Sequence, residues 1–242
     1  METTPFSYLG YEGLIKSLQE ANYSFSDYHC YYKYSRCVIL RHDIDNSIEK
    51  AVTLAEIEAK LGVNSTFFVL TTSDFYNPAS KKNLEGLRKI QELGHELGLH
   101  FDEMSYDDLD DVIVAIKKEA KLLSDIIGTS ITTVSMHRPS QKTLDANYEI
   151  PGMINSYGKT FFNEFKYLSD SRRCWREPII DIIKSGRYDR LHILTHAIWY
   201  NDFEEDIHDT IKAFITSANQ ERYYQEKDNI KDIESFLDIS EI

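Results

Sequence analysis

Cys37-Val38-Ile39-Leu40-Arg41-His42-Asp43-Ile44-Asp45-Asn46-Ser47 is the stretch on which the reading of this chain turns. Cys37 to Leu40 is a short, fully apolar run, as expected of a strand buried on both faces. It gives way to Arg41-His42-Asp43-Ile44-Asp45, four ionisable groups in five residues. Asn46 and Ser47 then offer side-chain caps to a helix whose apolar stripe runs Ile48, Ala51, Val52, Ala55, Ala59. The charged cluster is therefore expected at the C-terminal end of a buried strand, where parallel α/β folds gather their chemistry. In an extended segment Asp43 and Asp45 point the same way, and two converging carboxylates need something positive beside them. A metal ion, an arginine or a shared proton would each serve. A plainer arrangement is equally open, with Asp45 capping the helix and Asp43 paired to Arg41.

The composition narrows the field. A chain of 242 residues with 42% hydrophobic content fits one domain with an ample core, which excludes wholesale disorder. The 40 acidic against 27 basic residues give a net charge of −13, which argues against binding a nucleic-acid backbone or an anionic membrane. Cys30, Cys37 and Cys174 form no CxxC pair and leave one thiol over in any disulfide scheme, so neither a zinc knuckle nor a disulfide scaffold fits. Met1-Glu2-Thr3-Thr4-Pro5 has neither a basic nor an apolar signal region. No apolar run approaches the ~20 residues that span a bilayer. A cytoplasmic protein without a membrane span is expected.

Beyond the central stretch, the chain alternates between apolar runs and helical stripes. Residues 1–36, rich in tyrosine, are expected to form a helical and aromatic cap over one end of the fold. Strands are expected at Asn64–Leu70, His95–Phe101, Ile131–Met136, Phe165–Leu168 and Leu191–Leu194. A stripe from Leu109 to Ile127, with a capping signal at Ser105-x-x-Asp108 and a stop at Gly128, predicts a long helix between the third and fourth strands. Pro178 suits a helix start, residues 203–225 read as a closing helix, and 226–242 as a charged tail. Strands alternating with helices mean a parallel sheet, open or closed into a barrel, and no repeat or linker divides the chain. The barrel is expected over 37–225.

Four of the eight histidines, His42, His100, His137 and His196, fall at the C-terminal ends of expected strands. A parallel barrel brings those ends to one rim, and imidazole with carboxylate suits zinc or a similar divalent ion. His95 and His192 fall at strand starts and are expected to be structural.

These residues resemble the polysaccharide deacetylases of the NodB-homology type, carbohydrate esterase family 4, in the style of deacetylase-like proteins encoded with bacterial surface-polysaccharide genes. The resemblance runs from about Val38 to Trp199. It implies a single-domain α/β fold with parallel strands, a distorted (β/α)7 barrel, and removal of acetyl groups from N-acetylated sugars with one divalent metal ion. His42-Asp43-Ile44-Asp45 is similar to the first family motif, which implies Asp43 as general base and Asp45 as metal ligand. Gly94 to His100 resembles the approach to the second, implying His100 as a ligand. Met136-His137-Arg138-Pro139 resembles the third, whose arginine holds the base. Asp170 through Trp175 resembles the fourth, where the aspartate orients that arginine and the tryptophan walls the acyl pocket. Leu194-Thr195-His196 resembles the last, implying His196 as general acid, and Trp199 beyond it can shield the site.

Two departures matter. Met104 stands where the family's second motif has its other histidine, and thioether is a poor ligand for a hard or borderline ion. His137 is an extra histidine in the third motif. His137, Asp102 or Glu103 is therefore expected to complete the ligand set, with zinc the expected metal and cobalt or nickel as alternatives. The expected substrate is a small, nucleotide-linked or lipid-linked amino sugar. Two other functions are compatible with parts of the pattern. One is a sugar-binding protein silenced by the loss of a ligand. The other is a metal-dependent glycosyltransferase, which accounts for Asp43 and Asp45 but for none of the strand-end histidines.

Overall fold

A computed structural model of the chain describes residues 4–106 and 111–242. It divides into two compact units, Met1–Phe203 and Glu204–Ile242. The first is an α/β unit. Its strands are β1 (Ser24–Ser26), β2 (Cys37–Ile44), β3 (Thr66–Leu70), β4 (Glu96–Asp102), β5 (Thr133–His137), β6 (Ile154–Asn155), β7 (Lys166–Ser169) and β8 (Arg190–His196). Its helices are α1 (Tyr8–Glu20), α2 (Ile48–Lys60), α3 (Lys81–Glu92), α4 (Val112–Ile127), α5 (Gln141–Ala146), α6 (Lys159–Asn163) and α7 (Ile179–Ser185). All strand pairs are parallel, in the order β6-β5-β4-β3-β2-β8-β7, with β1 added along the N-terminal half of β2. Seven parallel strands in a curled sheet, with helices between them, form a half-barrel, consistent with the distorted (β/α)7 barrel that the resemblance implies.

β2 is an interior strand, paired with β1, β3 and β8, and all eight of its residues are buried. Alternation sorts them. Val38, Leu40 and Ile44 belong to the main core beneath the helices, while Cys37 and Ile39 join Tyr28, Phe68, Phe161 and Phe165 inside the curl of the sheet. The strand continues through Arg41, His42 and Asp43 rather than ending at Leu40, because β8 pairs with it as far as Asp43 and β3 as far as Ile44. Ser47 caps α2, its hydroxyl accepting from Lys50 N at 3.3 Å. Close approach of β3, β4 and β5 requires Gly98, where an added Cβ would sit 2.5 Å from the Phe68 ring and 3.0 Å from the Thr133 carbonyl oxygen.

The N-terminal segment is built into this unit rather than set over it. Tyr11, Leu14, Ile15 and Leu18 recur at helical spacing and fill the main core, and β1 extends the sheet. α4 begins at Asp111, whose carboxylate accepts from Ile113 N and Val114 N. The expected cap at Asp108 and the stripe residue Leu109 lie outside the described residues, as do Met1 to Thr3. Gly128 ends α4 in the left-handed region, at φ 80°.

The second unit is α8 (Ile207–Asn229) followed by two short 3-10 turns, with Tyr223 Oη donating to Leu237 O at 3.1 Å. The helix expected to close the barrel thus belongs to a separate unit. It passes the tail boundary expected at 226 because neither Gly nor Pro interrupts residues 207–229. Among the described residues no helix is long and apolar enough to cross a membrane.

Candidate active site

Period-two alternation, continued past the end of β2, aims Asp43 and Asp45 at the mouth of the sheet's inner face. There they meet side chains from the C-terminal ends of β4, β5 and β8. His100 Nε2 lies 3.3 Å from Asp45 Oδ1 and 3.4 Å from Asp43 Oδ2. His137 Nδ1 lies 3.1 Å from His100 Nε2 and 3.4 Å from Asp45 Oδ1. Three donor atoms, one each from Asp45, His100 and His137, therefore form a triangle with sides of 3.1, 3.3 and 3.4 Å. Ligands at 2.0–2.2 Å in tetrahedral array stand about 3.3–3.6 Å apart, so these three donors are spaced to hold a zinc-sized ion. The Asp45 Oδ1 that points into it is buried and, among the described residues, has no hydrogen-bond partner. Burial holds the His137 imidazole below its ordinary pKa, with His100 adding to the effect, so the His137 ring is suited to ligation as a neutral base.

Of the alternatives for the third ligand, the structure brings His137 to the triangle. Asp102 instead accepts from Met104 N and pairs with Arg138, and Glu103 accepts from Ser140 N and Thr143 Oγ1. Met104 is 67% exposed.

Asp43 is held by a different arginine from the one the resemblance pointed to. Arg41, 0% exposed, donates from Nε to Asp43 Oδ1 at 2.8 Å and from Nη2 to Oδ2 at 2.7 Å, a bidentate pair. Its guanidinium lies 5.3 Å from the Phe68 ring centre and 4.9 Å from that of Tyr157. Burial works against charge on Asp43, but Arg41, with His100 and His196 nearby, holds its carboxyl well below the usual carboxylate range. Arg138 turns away, its side chain 66% exposed and paired with Asp102. The cause is local: Arg138 sits at φ 46°, in the left-handed region, and the chain leaves β5 there with the side chain outward.

The partner expected for Asp170 is corrected in the same way. With Arg138 elsewhere, Asp170 accepts from His196, at 2.6 Å from Nδ1 and at 3.0–3.1 Å from its backbone N, and from Tyr200 Oη at 3.2 Å. Burial alone would push the His196 imidazolium down, but the Asp170 carboxylate more than offsets it and raises the pKa to about 9. The other ring nitrogen, Nε2, lies 3.8 Å from Asp45 Oδ2. In register Asp43 pairs with His196 across β2 and β8, which puts a carboxylate and an imidazolium side by side at the edge of the triangle. Trp175 and Trp199 are half-buried on segments that leave the C-terminal ends of β7 and β8, and among the described residues neither buried indole N–H has a hydrogen-bond partner.

His42, the fourth strand-end histidine, does not join them. One residue out of phase with Asp43, it faces the helices. There its Nε2 lies 3.0 Å from Glu58 Oε1 and its Nδ1 2.6 Å from Thr195 Oγ1. Glu58 is also reached by Tyr11 Oη at 2.5 Å and Ser65 Oγ at 2.5 Å. This buried network ties α1 and α2 to the two strands that carry Asp43 and His196. The signal for it was an acid at a core position of α2, on the stripe of Ala51, Leu54 and Ala55. His95 joins the same network through Ser65, and His192 is enclosed with Tyr28 Oη 2.7 Å from its Nε2.

No protein-family model matches the sequence, and no curated protein matches it. Among solved structures, the chain is similar to a mutant of a family 4 carbohydrate esterase pseudoenzyme of Bacillus anthracis with restored enzymatic activity. That match has 15% identity and a TM-score of 0.45 over 78% of this chain, which spans 64% of the length of that one. It is similar also to a family 4 carbohydrate esterase of Bacillus anthracis, with 16% identity and a TM-score of 0.44, over 86% of this chain and 85% of that one. A chitin deacetylase of the fungus Colletotrichum lindemuthianum has 14% identity and a TM-score of 0.44, over 75% of this chain and 81% of that one.

Proposed function

We propose that this chain is a metal-dependent hydrolase of the polysaccharide-deacetylase type, which removes the N-acetyl or a related acyl group from an amino sugar during surface-polysaccharide synthesis. The observation that carries the reading is the triangle of Asp45, His100 and His137 donors, bordered by Asp43 and His196. The donor set of two imidazoles and a carboxylate suits zinc, with cobalt or nickel as alternatives. A divalent ion held there would polarise the acyl carbonyl and acidify an attacking water.

The chain's own groups supply the rest. Asp43, kept ionised by Arg41, takes a proton from the attacking water. His196, kept protonated at neutral pH by Asp170, gives a proton to the departing amine. The two groups thus have their pKa values pushed apart, the pattern that separates a base from an acid in one site. Trp175 and Trp199 wall the acyl pocket in this reading, and the substrate is a nucleotide- or lipid-linked sugar of the cytoplasm. Asp43→Asn tests it. Metal binding should persist while acetate release falls by roughly 10²–10⁴. Equal loss of both would assign Asp43 to the metal instead.

A second reading has one observation in its favour. Both Asp43 oxygens are taken by Arg41, which weakens the carboxylate as a base. A sugar-binding protein without turnover would bind amino sugars through the same metal, and Asp43→Asn would then leave its affinity unchanged.

A further inference from the structure

The turn leaving β7 reads Asp170-Ser171-Arg172-Arg173-Cys174-Trp175-Arg176-Glu177, three arginines around a tryptophan in a chain of net charge −13. It starts at the candidate site, since Asp170 holds His196 at 2.6 Å. It also folds back on that start, because Cys174 N donates to Asp170 O at 3.2 Å. Two trans peptide steps bound the Arg172 Cα to within about 7.6 Å of the Asp170 Cα.

Charge in the turn is not balanced within it. Asp170 is committed to His196, and Glu177 accepts from Lys166 at 2.5 Å. Arg172 and Arg176 are exposed, and among the described residues neither has an ion-pair or hydrogen-bond partner. Arg172 and Arg173 sit at φ 60° and 54°, a backbone region that side-chain-bearing residues avoid and that recurs where loops hold ligands. In so acidic a protein a phosphorylated ligand is repelled unless positive charge meets it locally. Guanidinium forks match phosphate oxygens in shape as well as charge.

We infer that Arg172 and Arg176, on either side of Trp175, form an anion subsite that receives a phosphate or diphosphate attached to the amino sugar. The inference rests on the deacetylase reading and narrows its substrate class to sugars carrying such a group, over neutral glycans. The diphosphate can come from a nucleotide or from a lipid carrier.

Two experiments test this, with Arg172→Gln and Arg176→Gln combined and with Arg88→Gln on α3 as a control for charge. The first titrates pyrophosphate calorimetrically into chelator-treated protein, independently of metal and turnover. Wild type and Arg88→Gln should bind alike, and the double variant about tenfold to a hundredfold more weakly. No binding by wild type, or equal binding by all three, overturns the subsite. The second compares acetate release from a uridine-diphosphate-linked N-acetyl amino sugar, a prenyl-diphosphate-linked one and a neutral N-acetylated oligomer. A preference for one diphosphate names its source, and the preference should fall about tenfold or more in the double variant. A wild-type preference for the neutral oligomer overturns the subsite but leaves the deacetylase reading intact. Pyrophosphate binding through the arginines, with no acetate released from any sugar, keeps the subsite and removes that reading.

Discussion

Arg41→Met removes a guanidinium that is 0% exposed and holds both oxygens of a carboxylate 4% exposed, at 2.8 and 2.7 Å. Met keeps most of the stem's volume between Phe68 and Tyr157, so packing changes little while the charge disappears. Asp43 is then left buried beside Asp45, with His100 and His196 as its neighbouring cationic groups. Breaking a buried pair from one side destabilises by about 3–5 kcal/mol, most of it the penalty on the stranded charge. Adding Asp43→Asn removes that charge, so the double variant should return to within about 1–2 kcal/mol of wild type. The pH dependence carries a sign. Without Arg41 the folded-state pKa of Asp43 rises above its unfolded value, so the deficit should shrink as the pH is lowered and the carboxyl protonates. Urea unfolding of the wild type, both single variants and the double, at neutral and acidic pH, measures all of this. Arg138→Ala is the comparison. It removes a side chain that is 66% exposed and leaves the buried Asp102 carboxylate still accepting from Met104 N, so it should cost less than Arg41→Met. An Arg41→Met deficit below that of Arg138→Ala, or one that deepens with acid, would refute the reasoning.

Other expectations follow from the same geometry. Asp45→Ala, His100→Ala and His137→Ala should each weaken zinc binding by about 100-fold or more, whereas Met104→Ala should leave it unchanged, as chelator competition would register. Asp170→Asn should drop the His196 pKa from about 9, read by NMR titration of the metal-free protein. Because that pKa is raised in the fold, its stabilising share is full below ~6.5 and fades as pH climbs through about 9. The variant should lack that alkaline loss. His192, depressed to about 3 by burial and then by Arg41, must be charged during acid unfolding, so its share is full above ~6.5 and lost as pH falls. His192→Gln should therefore unfold at lower pH than wild type in a circular-dichroism titration.

The fold was legible where apolar runs ended in charge. β2, β4, β5 and β8 each close on the ionisable residues that mark the rim, and a parallel arrangement follows from helices between them. A short strand is compatible with residues 140–164, but periodicity could not place β6 there because it is two residues long and pairs with β5. Within the site, residue types at strand ends pointed to Asp45, His100 and His137. Which arginine serves Asp43 is settled by facing, not by motif. Arg41 and Asp43 are two apart on one strand and share its inner face, while Arg138 enters the left-handed region and swings out. The same alternation separates His42 from the other strand-end histidines. Asp170 was read as a candidate through the resemblance alone, and its partner depended on where Arg138 went.

Acetate release from N-acetylated amino sugars, by protein stripped with a chelator and then reloaded with zinc, tests the central claim most directly. Stripped protein should release none. One zinc per chain should restore release in the wild type, and should not in His137→Ala, whose ring completes the triangle of donors. Activity that survives stripping, or that returns equally in His137→Ala, would contradict the account.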